Sequence, residues 1–296
     1  MKRILANDGI DQAGKAMLEK AGFFVETTKA REGKLAESIN EQNFDFLLVR
    51  SATKVTAELM QACPGLKLIG RAGVGLDNID LKAAQAQGIK VVNTPAASSQ
   101  SVAELVFAHL FGGVRLLHQA NHRMREENVQ FSSLKKENSA GIELQGKTLG
   151  IIGFGKIGQA VSSMALGLGM KVLATATSFR YVSVHLNIPQ AGKPIPVSLR
   201  TCNLDEVLTQ ADFISLHVPG KVAGKALIGR EEIKKMKKGV AIVNVSRGGV
   251  LDEDALLQGL NDGHIRFVGL DVFENEPNPR PELLKHMGIS LSPHIG

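Results

Sequence analysis

Short apolar runs alternate with longer stretches in which apolar residues recur every three to four positions, and this alternation continues along the whole chain. Apolar runs of about four to six residues are typical of buried strands, and the three-to-four spacing is typical of helices. Strands that alternate with helices form a parallel sheet covered by helices. The pattern therefore predicts an α/β protein.

Residues 1–94 give a first series of this kind, and it predicts one doubly wound domain. Its last helix is followed by Gly88, a typical helix stop. Strands are predicted at 3–6, 23–27, 45–49, 66–70 and 90–92, and helices at 12–21, 35–40, 57–62 and 81–87.

A long amphipathic stretch, 101–124, predicts a helix that links this domain to the next. Ser101 and Glu104 have the spacing of a capping box at its start. Its apolar content exceeds the need of one face, which is compatible with a dimer interface or with burial in the monomer. Polar residues predict a surface connection at 126–147, and three prolines predict a loop at 187–200.

A second α/β series begins at Thr148. Its first predicted strand, 148–152, leads into residues 153–158 (Gly-Phe-Gly-Lys-Ile-Gly), which precede a helix at 157–168 and a strand at 171–175. The motif Gly-x-Gly-x-x-Gly alone is weak evidence for a nucleotide site. A strand before it and a helix after it are the context that a dinucleotide-binding turn requires. Gly153 suits the tight turn, Gly155 suits close approach of a pyrophosphate, and Gly158 suits helix packing. The sequence therefore predicts a dinucleotide site.

One usual part of that site is missing. An acid about 20 residues after the glycines normally binds the adenosine ribose, but residues 174–180 (Ala-Thr-Ala-Thr-Ser-Phe-Arg) contain no carboxylate. A hydrogen bond to a charged group contributes about 1.5–3 kcal/mol, so its loss weakens NAD binding. NAD is expected as the cofactor, and NADP is possible if the hydroxyls and Arg180 accept a 2′-phosphate. The alternative is that Arg180 is a solvated surface residue.

Composition excludes several classes of function. The 296 residues are enough for two domains. No apolar window is long enough for a membrane helix, and the first residues do not resemble a signal peptide. Cys63 and Cys202 have no metal-ligand spacing, so no metal and a reducing cytoplasm are expected. The net charge of +6 is spread over scattered residues with no Trp, which argues against nucleic acid and weakly favours an anionic substrate.

Three polar islands follow predicted strands near the C-terminus. They are residues 244–249 (Asn-Val-Ser-Arg-Gly-Gly), 271–277 (Asp-Val-Phe-Glu-Asn-Glu-Pro) and 292–296 (Ser-Pro-His-Ile-Gly). Open α/β sheets bind ligands at the carboxyl ends of their strands, so Arg247, Glu276 and His294 are expected at one edge.

These three side chains suit anion binding and proton transfer. The imidazole of His294 suits a proton acceptor, a role in which Glu276 would stabilise its charged form. The guanidinium of Arg247 suits a substrate carboxylate. The alternatives are an ion pair of Arg247 with a nearby aspartate, a turn role for Glu276, and a capping role for His294.

The first domain offers two cations for an anionic substrate. Arg50 follows the third predicted strand and Arg71 the fourth, so both are expected at the ligand-binding edge, near the backbone of 73–75. The alternative for each arginine is that it anchors a loop.

These motifs together resemble the D-isomer-specific 2-hydroxyacid dehydrogenases over nearly the whole chain. The motifs are 49–56 (Val-Arg-Ser-Ala-Thr-Lys-Val-Thr), 70–78 (Gly-Arg-Ala-Gly-Val-Gly-Leu-Asp-Asn), 101–105 (Ser-Val-Ala-Glu-Leu), the glycine turn and the three islands. The resemblance implies two doubly wound parallel-sheet domains around a cleft: a flavodoxin-like substrate domain (1–94) and a Rossmann-like NAD-binding domain (95–296). From the composition, a cytoplasmic protein without a membrane anchor is expected, and from the apolar content of 101–124 a homodimer or higher oligomer. The family continues beyond the histidine into a segment that returns to the first domain, and this segment is expected to be missing after residue 296.

The resemblance assigns roles to individual residues. The catalytic residues are Arg247, Glu276 and His294. The cofactor positions are Val74, Gly153, Gly155, Lys156, Ile157, Gly158, Ala176 (where an aspartate is usual), Val218, Val245, Ser246, Arg247, Asp271 and His294. The substrate positions are Arg50, Ser51, Arg71, Gly73, Val74 and Arg247.

The substrate is expected to be 3-phospho-D-glycerate, oxidised to 3-phosphohydroxypyruvate for serine biosynthesis, because motifs 49–56 and 70–78 most resemble family members with that activity. A hydroxypyruvate or glyoxylate reductase with the same three catalytic residues is the enzymatic alternative. A different class is a nucleotide-sensing corepressor, which has the same fold and whose output is protein binding.

Overall fold

Each of two units of the chain, Met1–Ser98 and Ser99–Gly296, is built around its own sheet in a computed structural model that describes residues 1–220 and 224–296. The division lies four residues after the predicted one. The predicted α/β fold is confirmed. None of the helices in the described ranges is long and apolar enough to cross a membrane.

The first unit contains a five-stranded, all-parallel sheet in the order β2-β1-β3-β4-β5. Its buried strand residues, such as Leu5, Leu47 and Ile69, form the core with the helices. The strands are β1 Arg3–Ala6, β2 Phe24–Glu26, β3 Phe46–Val49, β4 Leu68–Arg71 and β5 Lys90–Asn93, and the helices are α1 Gln12–Lys20, α2 Leu35–Glu41, α3 Ala57–Ala62 and α4 Leu81–Ala86. All nine overlap the predicted elements.

The second unit contains an eight-stranded sheet in the order β13-β12-β11-β10-β6-β7-β9-β8. The strands are β6 Thr148–Ile152, β7 Lys171–Thr175, β8 Tyr181–Leu186, β9 Ile195–Cys202, β10 Phe213–Leu216, β11 Val240–Asn244, β12 Ile265–Leu270 and β13 Ile289–Leu291. The helices are α5 Ser99–Val114, α6 Leu117–Arg123, α7 Phe131–Glu137, α8 Lys156–Gly167, α9 Leu204–Gln210, α10 Arg230–Lys235, α11 Glu253–Asn261 and α12 Pro281–Lys285.

The central strands of this second sheet are buried on both faces. Every residue of β10 and β11 is buried, as expected for a parallel sheet with helices on each side. One face packs Phe107 and Phe267 in a cluster with α5, and the other packs Ile242 and Leu256 in a cluster with α11. This packing fixes the strand ends that carry the polar islands.

The predicted helix 101–124 is in fact two helices. Helix α5 ends at Val114, and Leu116 has a left-handed backbone (φ 54°) before α6 begins. Helix α5 begins at Ser99, so Ser101 lies inside it, and the predicted capping box is wrong. The Glu104 carboxylate instead accepts a hydrogen bond from the Gln100 side chain.

Two predicted irregular segments contain regular structure. The connection 126–147 includes α7, whose Leu134 is buried. The predicted loop 187–200 is wrong in its second half, because β9 begins at Ile195 and pairs antiparallel with β8. Pro196 is tolerated there because β9 pairs with β7 only further on, at Thr201 and Cys202.

Candidate active site

The glycine turn after β6 is closely packed at its first and third glycines and open at its second. Gly153 has φ +101°, and a β-carbon there would lie 2.3 Å from the carbonyl oxygen of His217. A β-carbon at Gly158 would lie 2.3 Å from the carbonyl oxygen of Gly153, whereas one at Gly155 would meet nothing within 4 Å. The turn thus fits a dinucleotide, with space at Gly155 for a pyrophosphate at the start of α8.

Predicted cofactor positions on neighbouring strands lie close to this turn. Val218 follows β10, and its Cγ1 would lie 3.1 Å from a β-carbon at Gly153. Lys156 and Ile157 are the first two residues of α8, and Lys156 is exposed. The turn therefore has β6 and β10 beside it, as a Rossmann site requires.

The end of β7 contains no acid, as the sequence indicates. Ala176 is half-buried, and the two hydroxyl residues after it are exposed. The Arg180 guanidinium is directed to the glycine turn, where Nη2 lies 3.5 Å from the carbonyl oxygen of Phe154. Arg180 is thus an exposed cation beside the dinucleotide turn, so it is a solvated surface residue that also lies near the cofactor position.

The turn that carries Arg247 is shaped by a residue that sequence reasoning left without a role, Asn244. Its Nδ2 donates to the carbonyl oxygen of Arg247 (3.0 Å), and its Oδ1 accepts from the Ser246 amide (3.1 Å) and hydroxyl (2.8 Å). Val245 and Ser246 are buried, whereas Arg247 is half-buried and its Nη1 donates to the Ser246 carbonyl oxygen (2.6 Å). An Asn at the end of a strand is the signal that would have found this role.

The Arg247 turn also contacts the loop that carries Glu276. A β-carbon at Gly248 would lie 1.9 Å from the carbonyl oxygen of Phe273. Only glycine allows this approach, so the first two islands are packed against each other.

Glu276 and His294 form a direct pair. His294 Nδ1 lies 2.7 Å from Glu276 Oε2, and Glu276 Oε1 accepts from the Phe273 amide at 2.9 Å. The side chains are 47% and 35% exposed, so a substrate can reach them. With Nδ1–H donated to the carboxylate, Nε2 has the lone pair that can accept a proton.

Asp271 holds the segment that carries His294. It is fully buried, and its Oδ1 accepts from the Ser292 hydroxyl (2.6 Å) and the Ile295 amide (2.9 Å). Its Oδ2 accepts from the Gly296 amide at 2.9 Å. This arrangement gives Asp271 a positioning role in addition to the nicotinamide contact that the resemblance implies.

The predicted substrate residues of the first unit lie at the carboxyl ends of adjacent strands. Arg50 follows β3 and Arg71 ends β4, where Val49 is in register with Arg71. Arg50 and Ser51 are exposed, whereas Arg71 is half-buried. Both guanidinium groups therefore belong to one edge of this sheet.

The Arg50 loop is held by two residues that sequence reasoning missed. Asp8 Oδ2 accepts from the amides of Arg50 (2.8 Å) and Thr53 (3.1 Å), and Oδ1 accepts from the Thr53 hydroxyl (2.7 Å). Asn78 Nδ2 donates to the carbonyl oxygens of Arg50 (2.8 Å) and Thr53 (2.7 Å). Burial alone raises the pKa of Asp8, but these hydrogen bonds bring it below its ordinary value, so the carboxylate stays charged.

The turn after β4 is fixed by the end of β5. The Gly73 amide donates to the Thr94 hydroxyl (2.8 Å), and Asn93 Nδ2 donates to the Val74 carbonyl oxygen (2.7 Å). Gly73 has φ +143°, and a β-carbon there would lie 1.9 Å from Arg71 Nη1. The Arg71 guanidinium therefore lies directly over this turn.

Within residues 1–220 and 224–296, no group of three or more His, Cys, Asp or Glu side chains is placed to hold a metal ion.

The doubly wound sheets, the glycine turn and the paired Glu276 and His294 define a class, the two-domain nicotinamide-dependent dehydrogenases. Residues 107–296 match the family model described as "D-isomer specific 2-hydroxyacid dehydrogenase, NAD binding domain". The chain belongs to the D-isomer-specific 2-hydroxyacid dehydrogenase family, whose members are oxidoreductases that use a nicotinamide cofactor. The predicted family is confirmed.

Two curated relatives have similar identity but different lengths. A hydroxypyruvate reductase from Thermotoga maritima is 41% identical over 298 residues, which cover 99% of this chain and 91% of the relative. A D-3-phosphoglycerate dehydrogenase from Methanocaldococcus jannaschii is 40% identical over 297 residues, which cover 100% of this chain and 53% of the relative. The chain thus spans about half the length of the second relative.

Solved structures have the same fold. The TT0316 protein from Thermus thermophilus is 31% identical, with a TM-score of 0.79 over 99% of this chain and 89% of that chain. A glyoxylate reductase from Paecilomyes thermophila is 28% identical, with a TM-score of 0.76 over 100% of this chain and 88% of that chain.

Proposed function

We propose that the protein is a D-3-phosphoglycerate dehydrogenase, which oxidises 3-phospho-D-glycerate to 3-phosphohydroxypyruvate in serine biosynthesis. The observation that carries the proposal is the 2.7 Å pair of His294 Nδ1 and Glu276 Oε2, in a unit that also has a dinucleotide turn. A proton acceptor held by a carboxylate is what the oxidation of a 2-hydroxy acid requires.

The proposed mechanism divides the work among three side chains. Arg247 binds the substrate carboxylate through its planar fork of donors and keeps its charge throughout. His294 Nε2 takes the proton of the C2 hydroxyl, and Glu276 stabilises the imidazolium that forms. The bound nicotinamide cofactor supplies the acceptor for the hydride that leaves C2. The hydroxy acid thereby loses one hydride and one proton and becomes a 2-oxo acid.

Arg50 and Arg71 are proposed to bind the substrate phosphate. They end adjacent strands, and the Arg50 loop is held by Asp8 and Asn78. Guanidinium groups bind phosphate oxygens in pairs, so two arginines at one sheet edge suit a dianion. Ser51 and the Gly73 and Val74 backbone are proposed to complete this subsite.

Hydroxypyruvate reduction is the second candidate. A hydroxypyruvate reductase is 41% identical over 99% of this chain, and a phosphoglycerate dehydrogenase is 40% identical over 100% of it. The same three residues would serve the reverse reaction, with His294 as the proton donor. The two candidates differ in their need for a phosphate subsite.

The cofactor is proposed to be NAD or NADP with little discrimination. No carboxylate follows β7 that would bind the ribose hydroxyls and repel a 2′-phosphate. The Arg180 guanidinium, 3.5 Å from the Phe154 carbonyl oxygen, supplies a cation near that position. Comparable kcat/KM values with NADP and NAD would support this, and a strong preference for NAD that Arg180→Ala leaves unchanged would contradict it.

A homodimer is proposed from the exposed apolar residues of α5, α6 and α7. Phe111 is 44% exposed, Leu117 62% and Phe131 63%. Exposed aromatic and aliphatic groups on consecutive helices favour a protein interface.

The deciding experiment is a kinetic scan with 3-phosphoglycerate, hydroxypyruvate, D-lactate and glyoxylate, each with the matching redox form of both cofactors. The highest kcat/KM with 3-phosphoglycerate supports the leading proposal, and the highest with hydroxypyruvate supports the second. Tight cofactor binding without turnover of any substrate would contradict both and favour a nucleotide-sensing corepressor.

A further inference from the structure

His109 is a buried histidine on α5 whose two ring nitrogens both reach the segment that leads to His294. It is 4% exposed. Its Nδ1 lies 2.8 Å from the Ser290 hydroxyl on β13, and its Nε2 lies 3.0 Å from the Ser292 hydroxyl just after β13. A buried polar group is costly unless it is hydrogen-bonded. An apolar side chain of the same size would fill this space without polar atoms, so the imidazole has a role other than packing.

The Asp271 carboxylate fixes the direction of the two hydrogen bonds of the Ser292 hydroxyl. Ser292 Oγ lies 2.6 Å from Asp271 Oδ1, and an ionised carboxylate can only accept, so Ser292 donates its proton there. Ser292 Oγ must then accept from Nε2–H of His109. On a neutral ring the remaining nitrogen, Nδ1, then accepts from the Ser290 hydroxyl.

A serine hydroxyl can donate or accept, so the charge of the ring decides the direction of the hydrogen bond between Nδ1 and Ser290. Burial lowers the pKa of His109, and the charge of Asp271 opposes this only in part, while His118 lowers it further. The ring is neutral at neutral pH and has one tautomer, with the proton on Nε2.

Asp271 connects this chain of hydrogen bonds to the backbone on the far side of His294. The same Oδ1 that accepts from Ser292 also accepts from the Ile295 amide, and Oδ2 accepts from the Gly296 amide. His294 itself has a left-handed backbone (φ 53°), a conformation that is unfavourable for a non-glycine residue. Its backbone must therefore be held from outside, while Glu276 holds its ring.

We propose that His109 is a positioning residue that orients His294 through Ser292 and Asp271. His109 Nε2–H fixes the Ser292 hydroxyl, Ser292 fixes the Asp271 carboxylate, and Asp271 fixes the backbone that presents the His294 ring. The catalytic consequence depends on the proposed function, since it assumes that His294 is the base. The structural consequence, order of the 292–296 segment, does not.

Two substitutions separate the two nitrogens of the ring. The His109→Gln variant keeps a donor near the Nε2 position and can still reach Ser292. The His109→Asn variant keeps a polar group near the Nδ1 position only, and leaves Ser292 without its donor. Both remove the ring, and Asn leaves the larger cavity, so a packing role would show in the melting temperature of His109→Asn, and Ser290→Ala and Ser292→Ala test the two nitrogens without changing the ring.

We expect His109→Asn to lower kcat about 10–100-fold, the loss that a small misplacement of a catalytic group causes, with little change in KM. His109→Gln should keep most of kcat, although both variants lower the melting temperature. The control Ser290→Ala, which alters only the Nδ1 side, should keep kcat within about twofold of the wild type. Equal losses of kcat in the two His109 variants would overturn the proposal.

A second readout works without turnover. Amide hydrogen exchange of Ile295 and Gly296, measured by NMR, reports their hydrogen bonds to Asp271. Exchange should be faster in His109→Asn than in His109→Gln, and equal rates in both would overturn the proposal. If the wild type turns over no 2-hydroxy acid, the proposed function fails while this measurement still decides the role of His109.

Should His109→Asn not fold, Ser292→Ala interrupts the same chain of hydrogen bonds one step closer to Asp271. It is expected to lower kcat to a similar extent and to speed exchange of the Ile295 amide. Unchanged kcat and exchange in a folded Ser292→Ala protein would overturn the proposal.

Discussion

His294 Nδ1 lies 2.7 Å from Glu276 Oε2, although 18 residues separate them and neither side chain is fully buried. The other carboxylate oxygen of Glu276 accepts a hydrogen bond from the Phe273 amide, so the acid is held independently of its contact with the imidazole. This anchoring matters because a fixed carboxylate selects one tautomer of the imidazole. The pair is a preformed feature of the second unit.

The first prediction concerns this pair. His294→Asn should lower kcat about 10²–10⁴-fold, the usual contribution of a general base. Glu276→Gln keeps the shape of the acid but removes its charge, so it should lower kcat less. Steady-state kinetics at saturating cofactor, beside melting curves of both variants, measure this.

Cofactor binding is the control for both variants. The dissociation constant for the nicotinamide cofactor should change little in Glu276→Gln, because its carboxylate contacts His294 and the Phe273 amide. Near-full turnover in a folded His294→Asn protein would remove His294 from the mechanism.

The second prediction uses the contrast between the glycines of the turn. A β-carbon at Gly155 meets nothing within 4 Å, whereas one at Gly153 would lie 2.3 Å from the His217 carbonyl oxygen. Gly155→Ala should therefore fold with a near-normal melting temperature and bind cofactor weakly. Gly153→Ala should lose stability instead. Calorimetric titration with NAD and NADP, beside thermal melts, distinguishes the two effects.

Normal cofactor affinity in Gly155→Ala would mean that the pyrophosphate does not approach this backbone, and the dinucleotide site would have to be sought elsewhere.

Most of the architecture was predictable because the spacing of apolar residues along the sequence indicates which segments are helices and which are buried strands. The strands that lead to the islands, such as β11 and β12, are continuous apolar runs, as buried parallel strands require. Segment 187–200, which contains most of β9, was predicted as a loop because Pro189, Pro194 and Pro196 signal a break. Only the three-dimensional pairing reveals that this part of β9 has no partner on its β7 side.

The positions of Arg247, Glu276 and His294 were predictable because each lies just after a strand. The residues that hold the loops were not. Asp8 accepts hydrogen bonds from a loop more than 40 positions away. No local sequence pattern predicts a contact over that separation. His109 lies on an apolar helix, a pattern that is typical of a core residue. Only its contacts with two serines indicate a positioning role.

The third prediction tests the phosphate subsite. Arg50→Ala or Arg71→Ala should lower kcat/KM for 3-phosphoglycerate about 10–100-fold, because a hydrogen bond to a charged group contributes about 1.5–3 kcal/mol. Activity with hydroxypyruvate should change much less, so the ratio of the two kcat/KM values is the measurement.

The matched control is Lys54→Ala, since Lys54 is an exposed cation close to Arg50 in the same loop. It should leave the ratio unchanged. An unchanged ratio in both arginine variants would favour the hydroxypyruvate reductase.

The fourth prediction concerns assembly. Leu117 is 62% exposed on α6, and a charge there should oppose burial against a second copy. Leu117→Lys should shift the protein from dimer to monomer in size-exclusion chromatography with light scattering. Met17→Lys, at another exposed apolar residue (73%) on α1, is the control that should stay dimeric. A monomeric wild type at micromolar concentration would contradict the proposed homodimer.

The fifth prediction concerns acid stability and His217. Burial lowers the pKa of His217 to about 3, and its Nε2 lies 2.8 Å from the Ser215 hydroxyl. In the unfolded chain a histidine has its ordinary pKa of about 6.5, so between these values the unfolded state binds a proton that the folded state does not. The free energy of unfolding should therefore fall as pH decreases below about 6.5, by at most about 1.4 kcal/mol per pH unit from this group.

His217→Gln keeps a polar partner for Ser215 and cannot titrate, so it should flatten the pH dependence between about pH 6 and 4. His109, whose pKa burial also lowers, contributes in the same direction, whereas Glu253, whose pKa burial raises, opposes it. Carboxylates with lowered pKa values, such as Asp8 and Asp212, lose their contribution only at lower pH, near and below 4. Urea unfolding at a series of pH values measures the slope, and an equal slope for wild type and His217→Gln would mean that His217 becomes protonated in the folded state.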